Sequence, residues 1–183
     1  MFKTKAIREI NSLRDSEFCQ VLTKFKNMND PVIIRINVNE ERTKTEFECE
    51  ESTNIGRNPY EGGFFLLELI LGNTYPNTVP TVIFKTPIIH ANISEKDGYI
   101  CLDALNGWNS ITNNILDNVI RPIVELLANP NFEDKIHSNN TEVPYDDYKK
   151  IRDHVREHAT LEKSNKQFEL IQDRIERDNE LAG

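Results

Sequence analysis

Apolar residues along this chain recur first with the period of a helix, then with that of a strand, then with that of a helix again. Ala6, Ile7, Ile10 and Leu13 stand at helical spacing, and Phe18, Val21, Leu22 and Phe25 continue a stripe that Asn29, Asp30 and Pro31 bring to a stop. The pattern predicts one or two helices over residues 3–28. VIIRINVN (32–39) then reads as a strand, and KTEFECEE (44–51) alternates Phe47 and Cys49 against Glu46, Glu48 and Glu50. Residues 40–43 would join those two segments as a hairpin. GGFFLLELILG (62–72) is a third strand, apolar enough to lie in the middle of a sheet, and TVIFKT (81–86) is a fourth after the turn-rich NTYPNTVP. Connections this short leave no room for crossovers, so the sheet is predicted to be a four-stranded antiparallel meander.

From Pro87 to Ser110 no period is sustained, and Gly, Asn and Asp accumulate in what reads as a long functional loop. Ile115, Leu116, Val119, Ile120, Ile123, Val124 and Leu127 restore a helical period and surround most of the circumference, the mark of a buried helix. Pro122 lies inside it and should kink or split it. Pro144 is expected to open a helix with Tyr148, Ile151 and Val155 on one face, and residues 160–181 form another, with Leu161, Phe168, Ile171 and Ile175 inward. The expected fold is α+β: a meander sheet flanked by an N-terminal helix, a central buried helix and C-terminal helices. Residues 1–159 read as the core domain and 160–183 as a helical extension packed on the chain itself.

At 183 residues, one domain buries a sufficient core without metal or disulfide. A net charge of -8 speaks against nucleic acid as a partner, because a phosphate backbone selects basic surfaces. Six Lys or Arg against four acids in residues 1–30 leave a local basic excess there. No run approaches the ~18 apolar residues of a membrane span, and no apolar signal segment opens the chain, so a monomeric cytoplasmic or nuclear protein without membrane contact is expected. The three cysteines, Cys19, Cys49 and Cys101, are far apart and show no metal-ligand spacing. Cys19 and Cys49 fit the usual place of a free thiol, a small buried hydrophobe. Cys101, in HANISEKDGYICLD, is either another such filler or a nucleophile displayed on a loop.

The order of these segments decides between the two. REINSL in the first helix, NPYEGGFF before the third strand, TYPNTVP, HANISEKDGYICLD, Trp108 and NPNFED (129–134) resemble, in this order and near this spacing, the ubiquitin-conjugating enzyme family over residues 3–158. The resemblance implies that Cys101 accepts ubiquitin or a ubiquitin-like protein as a thioester from an activating enzyme. It then passes the modifier to a substrate lysine, usually with a ligase, and ATP is consumed upstream, so the chain needs no cofactor or metal of its own. Cysteine suits that relay because a thiolate is a good nucleophile and a good leaving group. By the same resemblance Asn92 either stabilises the oxyanion or orders the loop, and Asp134 lines the lysine approach. His90, Leu102, Asp103 and Trp108 support the loop, while Lys5 and Arg8 face the activating enzyme.

Some positions depart from the family pattern. The central proline of its His-Pro-Asn segment is Ala91, so the loop must be held by its neighbours. Toward the ligase, Asn77 replaces an aromatic residue, and Asn109-Ser110-Ile111 replaces a Ser-Pro-Ala-like triplet, which weakens the expected apolar anchor. Two rival readings remain open: a non-catalytic scaffold on the same fold, binding ubiquitin or a conjugating enzyme, and a thiol hydrolase in which His90 activates Cys101. His154 and His158, one helical turn apart, are expected on a solvated face.

Overall fold

The run FFLLELI is apolar on both of its faces because both are covered. Strand β3 (Phe64–Ile70) pairs antiparallel with β2 (Val32–Asn37) on one side and with β4 (Thr81–Phe84) on the other. A short strand, β1 (Cys19–Val21), closes the other edge of β2, so the sheet order is β1-β2-β3-β4, every neighbour antiparallel. The computed structural model describes residues 2–39, 58–101, 108–133, 135–136 and 147–181. Helix α1 (Phe2–Arg14) precedes the sheet, and α2 (Arg121–Ala128), α3 (Tyr148–His158) and α4 (Leu161–Leu181) follow it.

The predicted four-stranded antiparallel meander is present, but its first described strand lies where a helix is expected. The stripe 18–25 is not helical: α1 stops at Arg14, and Cys19–Val21 lie opposite Ile34–Ile36 as an edge strand. Tertiary pairing outweighs the local period there, since the sheet edge satisfies backbone groups that a second helix would have to satisfy internally. The segment 44–51, expected as the hairpin partner of β2, lies outside the described residues; β2 pairs with β3, in register from Val32–Leu69 to Asn37–Phe64.

On the inner face of the sheet, Val32, Ile34, Ile36, Phe65, Leu67, Leu69, Val82 and Phe84 bury against α1 (Ala6, Ile10, Leu13) and α2 (Ile123, Val124, Leu127). Each such fully buried aliphatic side chain contributes about 1.5–3 kcal/mol. The outer face carries a smaller cluster: Ile33 and Leu66 lie under Ile171 of α4, with Leu22, Phe168 and Ile175 at its margin. The C-terminal extension therefore packs on its own sheet. Leu161, expected inward, is instead 46% exposed. Polar contacts fix this end of α4. Arg35 donates to Ser164 Oγ at 2.9 Å and to Asn165 Oδ1 at 2.6 Å, Thr86 donates to Gln167 Oε1 at 3.1 Å, and Gln167 donates to the Lys85 carbonyl.

Pro122 neither breaks nor splits the central helix. A widened π turn, Leu116–Ile120, runs directly into α2, with the Arg121 N–H bonded to the Leu116 carbonyl five residues back. The looser turn falls where the pyrrolidine ring meets the preceding carbonyls, which relieves the clash a regular helix would suffer. Pro144 lies outside the described residues; α3 begins at Tyr148, capped by the Asp147 carboxylate, which accepts the Lys150 N–H at 3.0 Å. Among the described residues no helix is long and apolar enough to cross a membrane.

Candidate active site around Cys101

The loop that carries Cys101 is stitched to its surroundings at nearly every residue. Backbone bridges join His90 to Ile93 and Ile93 to Ile100, and Tyr99 to Ile83 of β4. The Cys101 N–H donates to the Asn92 carbonyl at 2.9 Å. A tight turn over Ser94–Gly98 brings the chain round, with Gly98 at φ +71° and its N–H on the Ser94 carbonyl. A Cβ at Gly98 would lie 2.0 Å from the Phe84 carbonyl oxygen, so glycine alone fits that approach. Burial alternates along the returning strand: Tyr99 is 62% exposed, Ile100 is buried, and Cys101 is half-buried. Cys101 thus differs from Cys19, which is buried, donates weakly to the Leu13 carbonyl, and has a thiol pushed up to about 11 by burial.

His90 is fully buried, its ring 5.4 Å from that of Tyr60, whose hydroxyl donates to the Ile89 carbonyl at 2.7 Å. Its Nδ1 accepts the Asn92 N–H at 3.0 Å, so the proton sits on Nε2, which donates to the Leu126 carbonyl of α2 at 2.9 Å. Burial pushes the imidazole down to about 4. Both ring nitrogens are engaged and the ring is neutral, which leaves neither for activating a thiol.

Asn92 is 1% exposed and its side-chain amide forms a two-bond clamp: Nδ2 donates to the Asn131 carbonyl and Oδ1 accepts the Asn131 N–H, both at 2.8 Å. A third tie runs from the Ile136 N–H to the Ala91 carbonyl at 2.8 Å. The bonds at His90, Ala91 and Asn92 hold the segment that lacks the proline. Asn131 had no side-chain signal of its own, because its backbone makes the contact; the turn-forming sequence Asn129-Pro130-Asn131 was the available hint. Its Oδ1 accepts the Glu133 N–H at 3.0 Å, which shapes that turn.

Trp108 is half-buried, donating its indole N–H to the Pro76 carbonyl at 2.8 Å with its ring 6.1 Å from that of Tyr75. The Tyr75 hydroxyl in turn donates to Glu9 of α1, whose carboxylate also accepts the Ile115 N–H at 2.9 Å. Lys5, expected as a free docking charge, bonds the carbonyls of Ser110 and Asn113 and lies 3.6 Å from Glu9. Arg8 is exposed. Asn77 is exposed at the turn it closes on the Thr74 carbonyl, Ser110 is half-buried, and Ile111 is 89% exposed. Asp134, Leu102 and Asp103 lie outside the described residues. His154 and His158, expected on a solvated face, are half-buried: their rings lie 4.3 Å apart, tilted by 46°, and the His154 imidazole is held below its usual range by burial and by His158. Among the described residues no three His, Cys, Asp or Glu side chains converge as a metal site.

Comparison with known proteins places this architecture. The family model described as ubiquitin-conjugating enzyme matches residues 19–159, most of the chain. A probable ubiquitin-conjugating enzyme of Acanthamoeba polyphaga mimivirus is 43% identical over 110 residues, covering 56% of this chain and 66% of that protein. The 24 kDa ubiquitin-conjugating enzyme of Saccharomyces cerevisiae is 32% identical over 114 residues, covering 60% of this chain and 52% of that one. Among solved structures, the E2 domain of a Toxoplasma gondii ubiquitin conjugating enzyme superposes with a TM-score of 0.62 at 18% identity, over 86% of this chain and 99% of that one, a likeness of fold. The chain belongs to the ubiquitin-conjugating enzyme family. It spans half to two thirds of the length of the two curated relatives named.

Proposed function

We propose that the protein carries ubiquitin, or a ubiquitin-like modifier, as a thioester on Cys101 and transfers it to the amino group of a substrate lysine. In the first step the Cys101 thiolate attacks the thioester carbonyl of the modifier held by an activating enzyme and expels that enzyme's thiolate. In the second, an acceptor amine attacks the new carbonyl, the Cys101 thiolate leaves, and the amine proton passes to a base. Asp134 is proposed as the group that orients the acceptor amine. The observation that carries this reading is the position of the Cys101 residue: half-buried, directly after a segment bridged to Ile83 and Ile93, its N–H bonded to the Asn92 carbonyl, in a chain of this family.

Asn92 serves this site by position. Its amide is committed to the Asn131 backbone in both directions, which favours ordering of the loop over direct contact with the oxyanion. The hydrolase reading loses its base, since His90 is neutral and bonded at both nitrogens. Toward the activating enzyme, Arg8 supplies exposed charge while Lys5 secures the 110–113 loop; on the ligase-facing side, Ile111 offers an apolar contact where Asn77 does not.

The test is a charging reaction with activating enzyme, ATP and a panel of modifiers, resolved with and without reductant. A reductant-labile adduct supports the proposal. Absence of any adduct with every modifier favours the scaffold reading, in which the fold binds a partner without chemistry.

A further inference from the structure

The bridged segment that leads into Cys101 carries an exposed aromatic side chain two residues before the thiol. Burial alternates through Tyr99, Ile100 and Cys101, so Tyr99 and Cys101 project from the same face, two residues or roughly 7 Å apart along an extended backbone. The Tyr99 side chain is 62% exposed while its backbone is firmly held. The Tyr99 carbonyl accepts the Ser94 N–H at 2.8 Å, its N–H donates to Asp97 Oδ1 at 3.2 Å, and its backbone pairs with Ile83. An exposed tyrosine on a held backbone is a usual anchor of a contact surface, because with two side-chain torsions little entropy is lost when a partner settles on it.

The chemistry around the ring indicates what would settle there. Glu95 and Asp97, both exposed, flank it on the same turn, with Lys96 the single cation among them. Hydrogen bonds from Ser94 and from the Tyr99 N–H hold the Asp97 carboxyl below the usual carboxylate range, so it is ionised. An electron-rich ring face bordered by carboxylates attracts a cation. The neighbouring loop already uses this pairing, with the Lys135 ammonium 5.5 Å from the Phe132 ring centre.

We infer that Tyr99 selects acceptors, its ring receiving an arginine or lysine side chain two residues from the lysine that is modified at Cys101. The spacing follows from geometry: an extended acceptor running along the strand places same-face side chains the same roughly 7 Å apart. The net charge of -8 favours such basic acceptor segments at longer range.

This inference rests on the thioester reading of Cys101, and the experiment separates the two. The protein is first charged and isolated, then given peptides with one lysine and either arginine or alanine two residues before or after it. Single-turnover loss of the thioester is the readout. Wild type is expected to discharge about two- to fivefold faster on one of the arginine peptides than on its alanine counterpart. That ratio should fall to about one in Tyr99→Ser and persist in Tyr99→Phe, which keeps the ring. A thioester that discharges equally on arginine and alanine peptides, or a preference that survives Tyr99→Ser, overturns the role of Tyr99 alone. Failure to form any thioester overturns the reading of Cys101 and this inference with it.

Discussion

Asn92 shows how one residue type answers a local demand that neither neighbour in sequence can meet. A single planar amide presents a donor and an acceptor side by side, and the Asn131 backbone presents their complements, so one side chain fixes two loops that are 39 residues apart. Asn92→Ala leaves a buried N–H and C=O unpaired, and should lower stability by about 1–3 kcal/mol in denaturant unfolding. A variant as stable as wild type would show that the clamp is incidental. His90 makes a prediction with a definite sign. Its folded-state value near 4 lies below the ordinary 6.5, so above pH 6.5 neither state is protonated and nothing is lost. As pH falls from 6.5 towards 4 the unfolded chain takes up a proton the native ring refuses, and stability declines by roughly 3 kcal/mol in total. Urea midpoints at pH 7 and pH 4.5 should therefore separate more in wild type than in His90→Asn; equal separations would contradict a buried neutral ring.

Among the elements, α4 most clearly links sequence pattern to packing. The apolar run of β3, interrupted only by Glu68, makes sense with α4 over the outer face of the sheet, where Ile171 meets Ile33 and Leu66. The helix is held chiefly by that small cluster and by Arg35, whose guanidinium reaches Ser164 and Asn165. Arg35→Ala should speed amide hydrogen exchange over residues 161–171 while leaving α2 protected, because α2 belongs to the separate inner core. Unchanged exchange in α4 would mean that the apolar cluster suffices alone. The same element scale explains what could be read in advance. Long periods, such as that of 115–127, and the extended run 62–72 were legible because many residues repeat one pattern. β1 was not: three residues are too few to show alternation, and the apolar positions around them fall at helical spacing. The π turn ahead of Pro122 has no residue signature of its own, since it answers a steric conflict in the assembled helix.

At the scale of the molecule, two layers converge on one loop. The sheet supplies the bridge from Ile83 to Tyr99, α2 supplies the Leu126 carbonyl for His90, and the 129–136 loop supplies the clamp on Asn92. α1 reaches the opposite side through Glu9 and Lys5, tying the turn at Tyr75 to the segment around Ser110 and Ile115. The identities of His90, Asn92, Cys101 and Trp108 stood out in the sequence because their types and order carry chemistry. Their partners did not, since Asn131, Leu126, Pro76 and Ala91 contribute backbone atoms that any residue would provide. The contacts of Lys5 were hidden for a related reason: a surface helix gives no sign that the Ser110 and Asn113 carbonyls will lie against its ammonium.

The proposed relay places the acyl group on Cys101 Sγ. Intact and peptide-level mass spectrometry after charging, without reductant, measures this directly. The predicted result is one modifier per chain, attached at Cys101 with Cys19 untouched, and converted to a reductant-stable ester in Cys101→Ser. A thiol-labile modifier found on Cys19 or Cys49, or undiminished thiol-labile charging of Cys101→Ser, would contradict it.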